Sequence, residues 1–158
     1  MEIIQYKDEF KEGAIGLILD IQNNEAKINL SISEQPDLLN IHEAYINNGG
    51  NFWMAIDNGQ VVGTIALMRI DDEWSVLKKF FVHADYRSQR VGLRLYEKLL
   101  EFARGKGYRH IILDTPSVAT KSHSFYERAG FRRIGKQELQ VQYSYPDRQS
   151  ILYQLDIR

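Results

Sequence analysis

The apolar runs Phe52-Trp53-Met54-Ala55-Ile56 and Val61-Val62-Gly63-Thr64-Ile65-Ala66-Leu67 flank the tetrad Asp57-Asn58-Gly59-Gln60. Asn-Gly accepts the positive φ angles of a tight hairpin turn at little cost, so the two runs are predicted to pair as antiparallel strands. A sheet is therefore the frame on which the rest of the chain must pack. A third strand is predicted over residues 74–82, after the polar turn Asp71-Asp72-Glu73, completing a meander. Beyond it the apolar spacing becomes helical: Val91, Leu95, Leu99, Phe102 and Ala103 form one stripe, closed by Gly105-Lys106-Gly107.

Residues 109–114 read as a buried strand, and 118–129 as a helix ended by Gly130. Upstream, residues 2–6 read as a short strand, and Phe10, Ala14, Leu17, Ile18 and Ile21 give residues 8–22 a helical face. Pro36 suits the first turn of a second helix, which runs through Leu38 and Tyr45 to a stop at Asn47-Asn48-Gly49-Gly50. Downstream, residues 131–141 and 150–157 read as two strands joined around Tyr145-Pro146-Asp147-Arg148. This order predicts an α/β fold, one mixed sheet covered by helices, in a single domain over residues 1–158. With 44% hydrophobic residues and three prolines, a chain of 158 residues can bury such a core without staples.

Composition removes several functions. Twenty basic and 21 acidic residues leave a formal net charge of −1, so there is no overall field for nucleic acid or an anionic membrane, and any anion site must be local. The absence of cysteine excludes disulfides, thiolate metal sites and a cysteine nucleophile. His83 and His123 lack a second pair of ligands at metal spacing, so no metal is expected. The stretch from Met1 to Lys7 has neither the basic nor the apolar part of a signal peptide, and no apolar run has membrane-spanning length. A cytoplasmic protein is the expectation.

The stretch His83-Ala84-Asp85-Tyr86-Arg87-Ser88-Gln89-Arg90-Val91-Gly92-Leu93 lies between an apolar strand and an amphipathic helix. Amide N–H groups at a helix start have no internal partner and stand at the positive end of the dipole, which favours phosphate oxygens. Gly92 permits close backbone approach, and Arg87 and Arg90 can add charge-assisted hydrogen bonds. A plain strand-to-helix turn with solvated arginines fits the same spacing. A second cluster, Ser122-His123-Ser124-Phe125-Tyr126-Glu127-Arg128-Ala129-Gly130-Phe131, reads alone as a glycine-capped helix with Tyr126 in the core.

In this order, the two clusters resemble the GNAT superfamily of acyl-CoA N-acyltransferases, and the resemblance extends over most of the chain. The family's central signature is Arg or Gln, two residues, Gly, one residue, then Gly or Ala. It is met at Arg87 and Gly92, with Arg90 in place of the first glycine. Phe80-Phe81-Val82-His83-Ala84-Asp85-Tyr86 resembles the preceding strand and turn, and Phe125-Tyr126-Glu127-Arg128-Ala129-Gly130-Phe131 the late Tyr-Glu-Lys-x-Gly-Phe segment. Ala119 stands where an asparagine is common, and Ser122 where an alanine is.

The resemblance implies a mostly antiparallel sheet splayed between its fourth and fifth strands, acetyl-CoA as cosubstrate and an amine as acceptor. Phe80, Phe81 and Val82 would line the pantetheine arm. The backbone of Gln89, Arg90, Val91, Gly92 and Leu93 would cradle the pyrophosphate, with Arg87 and Ser88 in the same loop, and Ser122, Phe125 and Tyr126 would complete the cofactor set. A neutral amine would attack the thioester directly in a ternary complex, with the Val82 N–H as oxyanion donor and Tyr126 as acid for the leaving thiolate. Val76 stands where many relatives carry a glutamate, which leaves Glu73 as the base put forward, beside Asp114 or a chain of waters. A homodimer through the late strands follows from the family.

Lys78 and Lys79 are expected on opposite faces of their strand. Trp53, Trp74, Tyr143 and Tyr145 suit either an acceptor wall or the core. A non-catalytic acyl-CoA-binding regulatory module fits the same residues. A nucleotide-binding α/β protein fits them less, because neither the Walker pattern nor the dinucleotide glycine triplet occurs.

Overall fold

Asn58 and Gly59 both take positive φ, +50° and +76°, and the hairpin closes where the sequence places it. β2 (Asn51–Asp57) pairs antiparallel with β3 (Gln60–Arg69). In this computed structural model, which describes residues 1–145, 147 and 149–157, the hairpin is the centre of one half of a seven-stranded sheet. The turn expected at Pro146 and Arg148 falls on residues outside those described. β1 (Glu2–Gln5) adds antiparallel to β2, and β4 (Trp74–Val82) antiparallel to β3. β5 (His110–Pro116) runs parallel to β4; β6 (Arg132–Ile134) and β7 (Ser150–Asp156) follow in the order β1-β2-β3-β4-β5-β7-β6. The last strand thus inserts between β5 and the strand that precedes it in the chain.

Alternation along β2 divides the core. Phe52, Met54 and Ile56 pack beneath α1 (Lys11–Asp20) and α2 (Ile41–Ala44), whereas Trp53 and Ala55 pack beneath α3 (Val91–Lys106). Tyr126 brings α4 (Thr120–Arg128) onto that second face. In α3 the predicted stripe is buried as Val91, Leu95, Leu99 and Ala103, and Gly107 ends the helix in the left-handed region at φ +83°. No helix of the described residues is long and apolar enough to cross a membrane.

Three elements depart from the periodicity. The first helix begins as a 3-10 turn at Asp8–Phe10 and unwinds into a π turn at Ile21–Glu25. The second divides into a 3-10 turn Pro36–Leu39, the single turn α2 and a 3-10 turn Ile46–Asn48, because Asn40 leaves the helical region at φ −137°, ψ 57°. Leu38, Ile41 and Tyr45 are nonetheless all buried, so core packing fixes these residues without a continuous helix. Of residues 131–141 only β6 pairs; a 3-10 turn at Lys136–Glu138 follows, and Leu139, Val141 and Tyr143 then lie against Trp74, Val76 and Ile112.

The sheet opens in its middle. β4 and β5 pair through Trp74↔His110, Ser75↔Ile111 and Val76↔Ile112, and no pair follows, so the C-terminal parts of the two strands diverge.

Gly50 lies so close to β3 that a Cβ would stand 2.0 Å from the Leu67 carbonyl oxygen. Gly50→Ala is expected to destabilise the fold by about 2–3 kcal/mol, since backbone cannot yield as a side chain can. Gly16→Ala, within α1 and with nothing within 4 Å of the new methyl, is expected to gain roughly 0.5–1 kcal/mol. Denaturant midpoints of the two variants check both signs.

Candidate active site

Leu77 and Phe80 both pack on the α3 face, although strict alternation would send residues three apart to opposite faces. The reconciling feature is a bulge. Pairing with β3 jumps from Ala66↔Lys78 to Thr64↔Phe81, and Lys79 takes φ +54°. The Thr64 hydroxyl donates to the Lys79 carbonyl at 2.7 Å. Lys78 and Lys79 are therefore both turned toward the α1 and α2 side, which corrects the expectation of opposite faces.

Lys79 is largely buried, its side chain 11% exposed, and its ammonium donates to Gln35 Oε1 and pairs with Asp37 at 3.6 Å. Gln35 and Gln22 exchange hydrogen bonds at 2.8 and 2.9 Å, and the Tyr45 hydroxyl donates to Asp37. Burial holds the Lys79 ammonium below its usual pKa, against the pull of Asp37. Nothing in the sequence marks this network except a lysine pair in a strand.

Beyond the bulge, the His83 N–H donates to the Val62 carbonyl at 2.8 Å and Phe81 is registered with Thr64. Antiparallel alternation then turns the N–H and C=O of Val82 away from β3, into the side that β5 has left. Arg87 Nε donates to the Val82 carbonyl at 2.9 Å. Phe80 and Val82 point toward α3 and α4, with Phe80 edge-on to Phe125 at 5.3 Å, whereas the Phe81 side chain turns into the core beneath α1.

At the end of β4 a 3-10 turn, Ala84–Gln89, leads to Arg90 at φ +61° and ψ 21°, where the family signature has glycine. Arg94 N–H donates to the Arg90 carbonyl, so the amides of Val91, Gly92 and Leu93 precede the first intrahelical bond, and no side chain caps them. A Cβ on Gly92 would lie 3.5 Å from the Phe80 ring, which places this helix start against the end of β4. Ser88 and Gln89 are exposed on the same turn. Arg87 is already engaged: its guanidinium makes a two-pronged pair with Glu25 and holds that carboxyl below the usual range.

α4 supplies the phenol. Its N-cap is Ala119, without a capping side chain, and Ser122 and Tyr126 follow one turn apart. Tyr126 is 6% exposed among Phe80, Phe125, Phe131 and Tyr153. Burial first, and the charges of Asp114 and Tyr153 next, raise its pKa well above the ordinary phenol value. Asp114 comes from the opposite side of the opening, on β5 just past the last β4–β5 pair. It accepts a hydrogen bond from the Tyr143 hydroxyl at 3.1 Å, and burial raises its pKa above the ordinary carboxylate value, against the lowering effect of Lys78 and Tyr143.

Glu73 does not join this group. It precedes β4, at the end away from Val82, with its carboxylate 3.9 Å from Arg109 and its carbonyl accepting from Arg109 and His110. Asp114 is the carboxylate that the fold brings to the opening. Trp53 lies under α3 against Phe102 and Trp74 stacks on His110, so both are core; Tyr143, with Tyr145 beside it at 5.2 Å, reaches the site through Asp114. His83 Nδ1 accepts from the Asp85 N–H and His123 Nε2 meets the Pro116 carbonyl; among the described residues no cluster of His, Cys, Asp and Glu could hold a metal.

Comparison with known proteins gives the same frame. An acetyltransferase from Streptococcus agalactiae 2603 has a TM-score of 0.96 at 42% identity, over 99% of this chain and 98% of that one. A GNAT-family acetyltransferase from Staphylococcus aureus Mu50 has a TM-score of 0.95 at 37% identity, over 99% of each chain. N-acetylaspartate synthetase of Danio rerio is 35% identical over 104 residues, 65% of this chain and 37% of that protein. The chain spans half or less of the length of such curated relatives. With the acetyltransferase (GNAT) family model matching residues 17–131, from α1 through β4, the α3 start and α4 to Phe131, the chain belongs to the GNAT acetyltransferases.

Proposed function

We propose that this acetyltransferase moves an acetyl group from acetyl-CoA to a primary amine by direct attack, with both substrates bound across the opening between β4 and β5. One observation carries the reading: β4 and β5 stop pairing after Val76↔Ile112, and Asp114 on β5 and the buried Tyr126 of α4 stand where the strands part, with the charge of Asp114 among the causes that, after burial, raise the phenol. The uncapped amides of Val91, Gly92 and Leu93, with Arg90 beside them, suit a diphosphate. Gln89, Ser88 and Arg87 lie on the same turn. The released edge of β4 at Phe80 and Val82 suits an amide-bearing arm added like a strand, flanked by Phe125 and Ser122 from α4. A left-handed arginine costs on the order of 1–2 kcal/mol relative to glycine, which a guanidinium–phosphate contact offsets.

Acetyl-CoA supplies the activated thioester. Asp114 takes a proton from the acceptor nitrogen, and its raised pKa makes it a stronger base than a free carboxylate. As the C–N bond forms, the Val82 N–H donates to the carbonyl oxygen that gains charge. As the C–S bond breaks, the Tyr126 phenol donates its proton to sulfur and recovers one from solvent. The bound ammonium gives one proton to Asp114, which returns it to solvent, the nitrogen loses a second to solvent as the amide forms, and the sulfur gains one, so that one proton is released overall. Burial raises phenol and thiol together, so their proton affinities stay matched inside the site.

Calorimetry with acetyl-CoA, followed by thiol release against pooled amines, tests the reading. Binding with no release from any amine would instead leave a regulatory acyl-CoA-binding module. Tyr126→Phe is expected to lower kcat about 10²-fold or more with the Kd for acetyl-CoA unchanged. Asp114→Asn is expected to lower kcat by roughly 10²–10⁴-fold and to remove the acidic limb of the pH profile, because activity is present above the carboxyl's pKa and lost as pH falls through it. Since the folded-state pKa is raised, the cost of burying the carboxylate is absent below the free aspartate value and complete above the raised one. The same Asn variant should therefore melt higher than wild type at neutral pH, checked by thermal unfolding across pH.

A further inference from the structure

Four charged groups border the opening on its α1 and α2 side: Asp37, Lys78, Lys79 and Asp114. Lys79 and Asp37 answer one another, with Gln35 and Tyr45 completing their hydrogen bonds. Lys78 and Asp114 remain. They stand on the two diverging strands, and no ion pair joins Lys78 to any described residue, yet its charge is the strongest influence drawing the Asp114 carboxyl down. Lys78 is half-buried, opposite Ala66, between the buried Leu77 and the engaged Lys79. The opposite mouth of the opening is lined by Phe80, Phe125 and Tyr126, so a charged acceptor approaches from the lysine side.

Resting on the reading in which Asp114 receives the acceptor's proton, we propose that Lys78 binds a carboxylate of the acceptor, whose class is therefore amino acids and other amines that carry a carboxylate near the nitrogen. A cation and an anion held apart on separate strands match a zwitterion, ammonium over Asp114 and carboxylate on Lys78. Proton transfer reinforces the match. Once Asp114 is neutral, Lys78 has lost its counter-charge, and the substrate carboxylate supplies another in a site where unpaired charge is costly. A diamine would place its second ammonium against Lys78 and be repelled.

The test compares proteinogenic L-amino acids with their decarboxylated counterparts, including lysine against cadaverine, phenylalanine against phenethylamine and histidine against histamine, by CoA release. The best acid is expected to exceed its counterpart by about 10²-fold or more in kcat/KM. Lys78→Gln should collapse that ratio to within about tenfold, mainly through the KM of the acid, and Lys78→Arg should restore much of it. Acetyl-CoA affinity should not change. Counterparts used as well as the acids, or a Gln variant that slows both alike, would overturn the assignment while leaving acetyl transfer intact. If neither set releases CoA, the transfer reading fails by itself, and calorimetry of the amino acids into the protein–CoA complex decides this one: heat lost in Lys78→Gln upholds it, and no heat in wild type overturns it.

Discussion

The bulge at Lys79 determines which way every group beyond it faces. Side chains and amides alternate along a strand, so one inserted residue reverses both for residues 80–82. Without it, Phe80 and Val82 would point into the core beneath α1, Phe81 would point toward α4, and the Val82 N–H would face β3. With it, the open edge of β4 presents an amide and two apolar side chains to the same cleft that receives Tyr126. A left-handed lysine costs on the order of 1–2 kcal/mol relative to glycine. Offsetting interactions surround it: the Thr64 hydroxyl holds its carbonyl, while Gln35 and Asp37 hold its ammonium. The bulge is thereby tied to the broken helical segment that carries Gln35 and Asp37, and the α1 and α2 side of the opening and the strand geometry are parts of one polar structure.

The two acidic groups nearest the opening receive unequal treatment. Asp37 has a lysine and a tyrosine hydroxyl within reach. Asp114 has a single hydroxyl donor and a lysine that does not touch it, and its pKa rises accordingly. A chain that only needed a stable sheet would gain by an apolar residue at position 114, beside Ile112 and Leu113. Retaining an under-compensated carboxylate where the strands separate is the pattern expected of a group that must pick up a proton.

Much of this was legible because it rests on local chemistry. Asn58-Gly59 specifies its turn, the α3 stripe specifies its buried face, and Arg87, Gly92 and Tyr126 carry the family resemblance in order. The bulge was not legible, since Lys79 is no more a bulge signal than any other strand lysine and its left-handed φ depends on Thr64, fifteen positions away. For the same reason the two lysines could not be assigned to one face. Glu73 adjoins β4 in sequence, but at the end away from Val82, a strand's length from the opening where β4 and β5 part. Asp114 becomes prominent only when the pairing is seen to stop after Ile112. The second helix is broken and the strand over 131–141 is shortened to β6 for another reason, since the burial of Leu38, Ile41 and Tyr45 and the partial burial of Leu139 and Val141 are satisfied by irregular backbone as well as by periodic elements.

Arg87 shows how a signature can identify a residue without giving its partner. Its guanidinium lies between the Val82 carbonyl and Glu25, joining the π turn at the end of α1 to the turn before α3. Arg and Glu side chains here are 41% and 45% exposed, so their pair is worth only about 0–1 kcal/mol. A diphosphate beside the α3 amides offers the same fork stronger acceptors and the positive end of a sixteen-residue helix. Exchange of one anion for the other is thus cheap, while the bond from Nε to Val82 can persist through it. That bond matters more than the pair, because it occupies the Val82 carbonyl and leaves the N–H as the free backbone group on the open side of the strand.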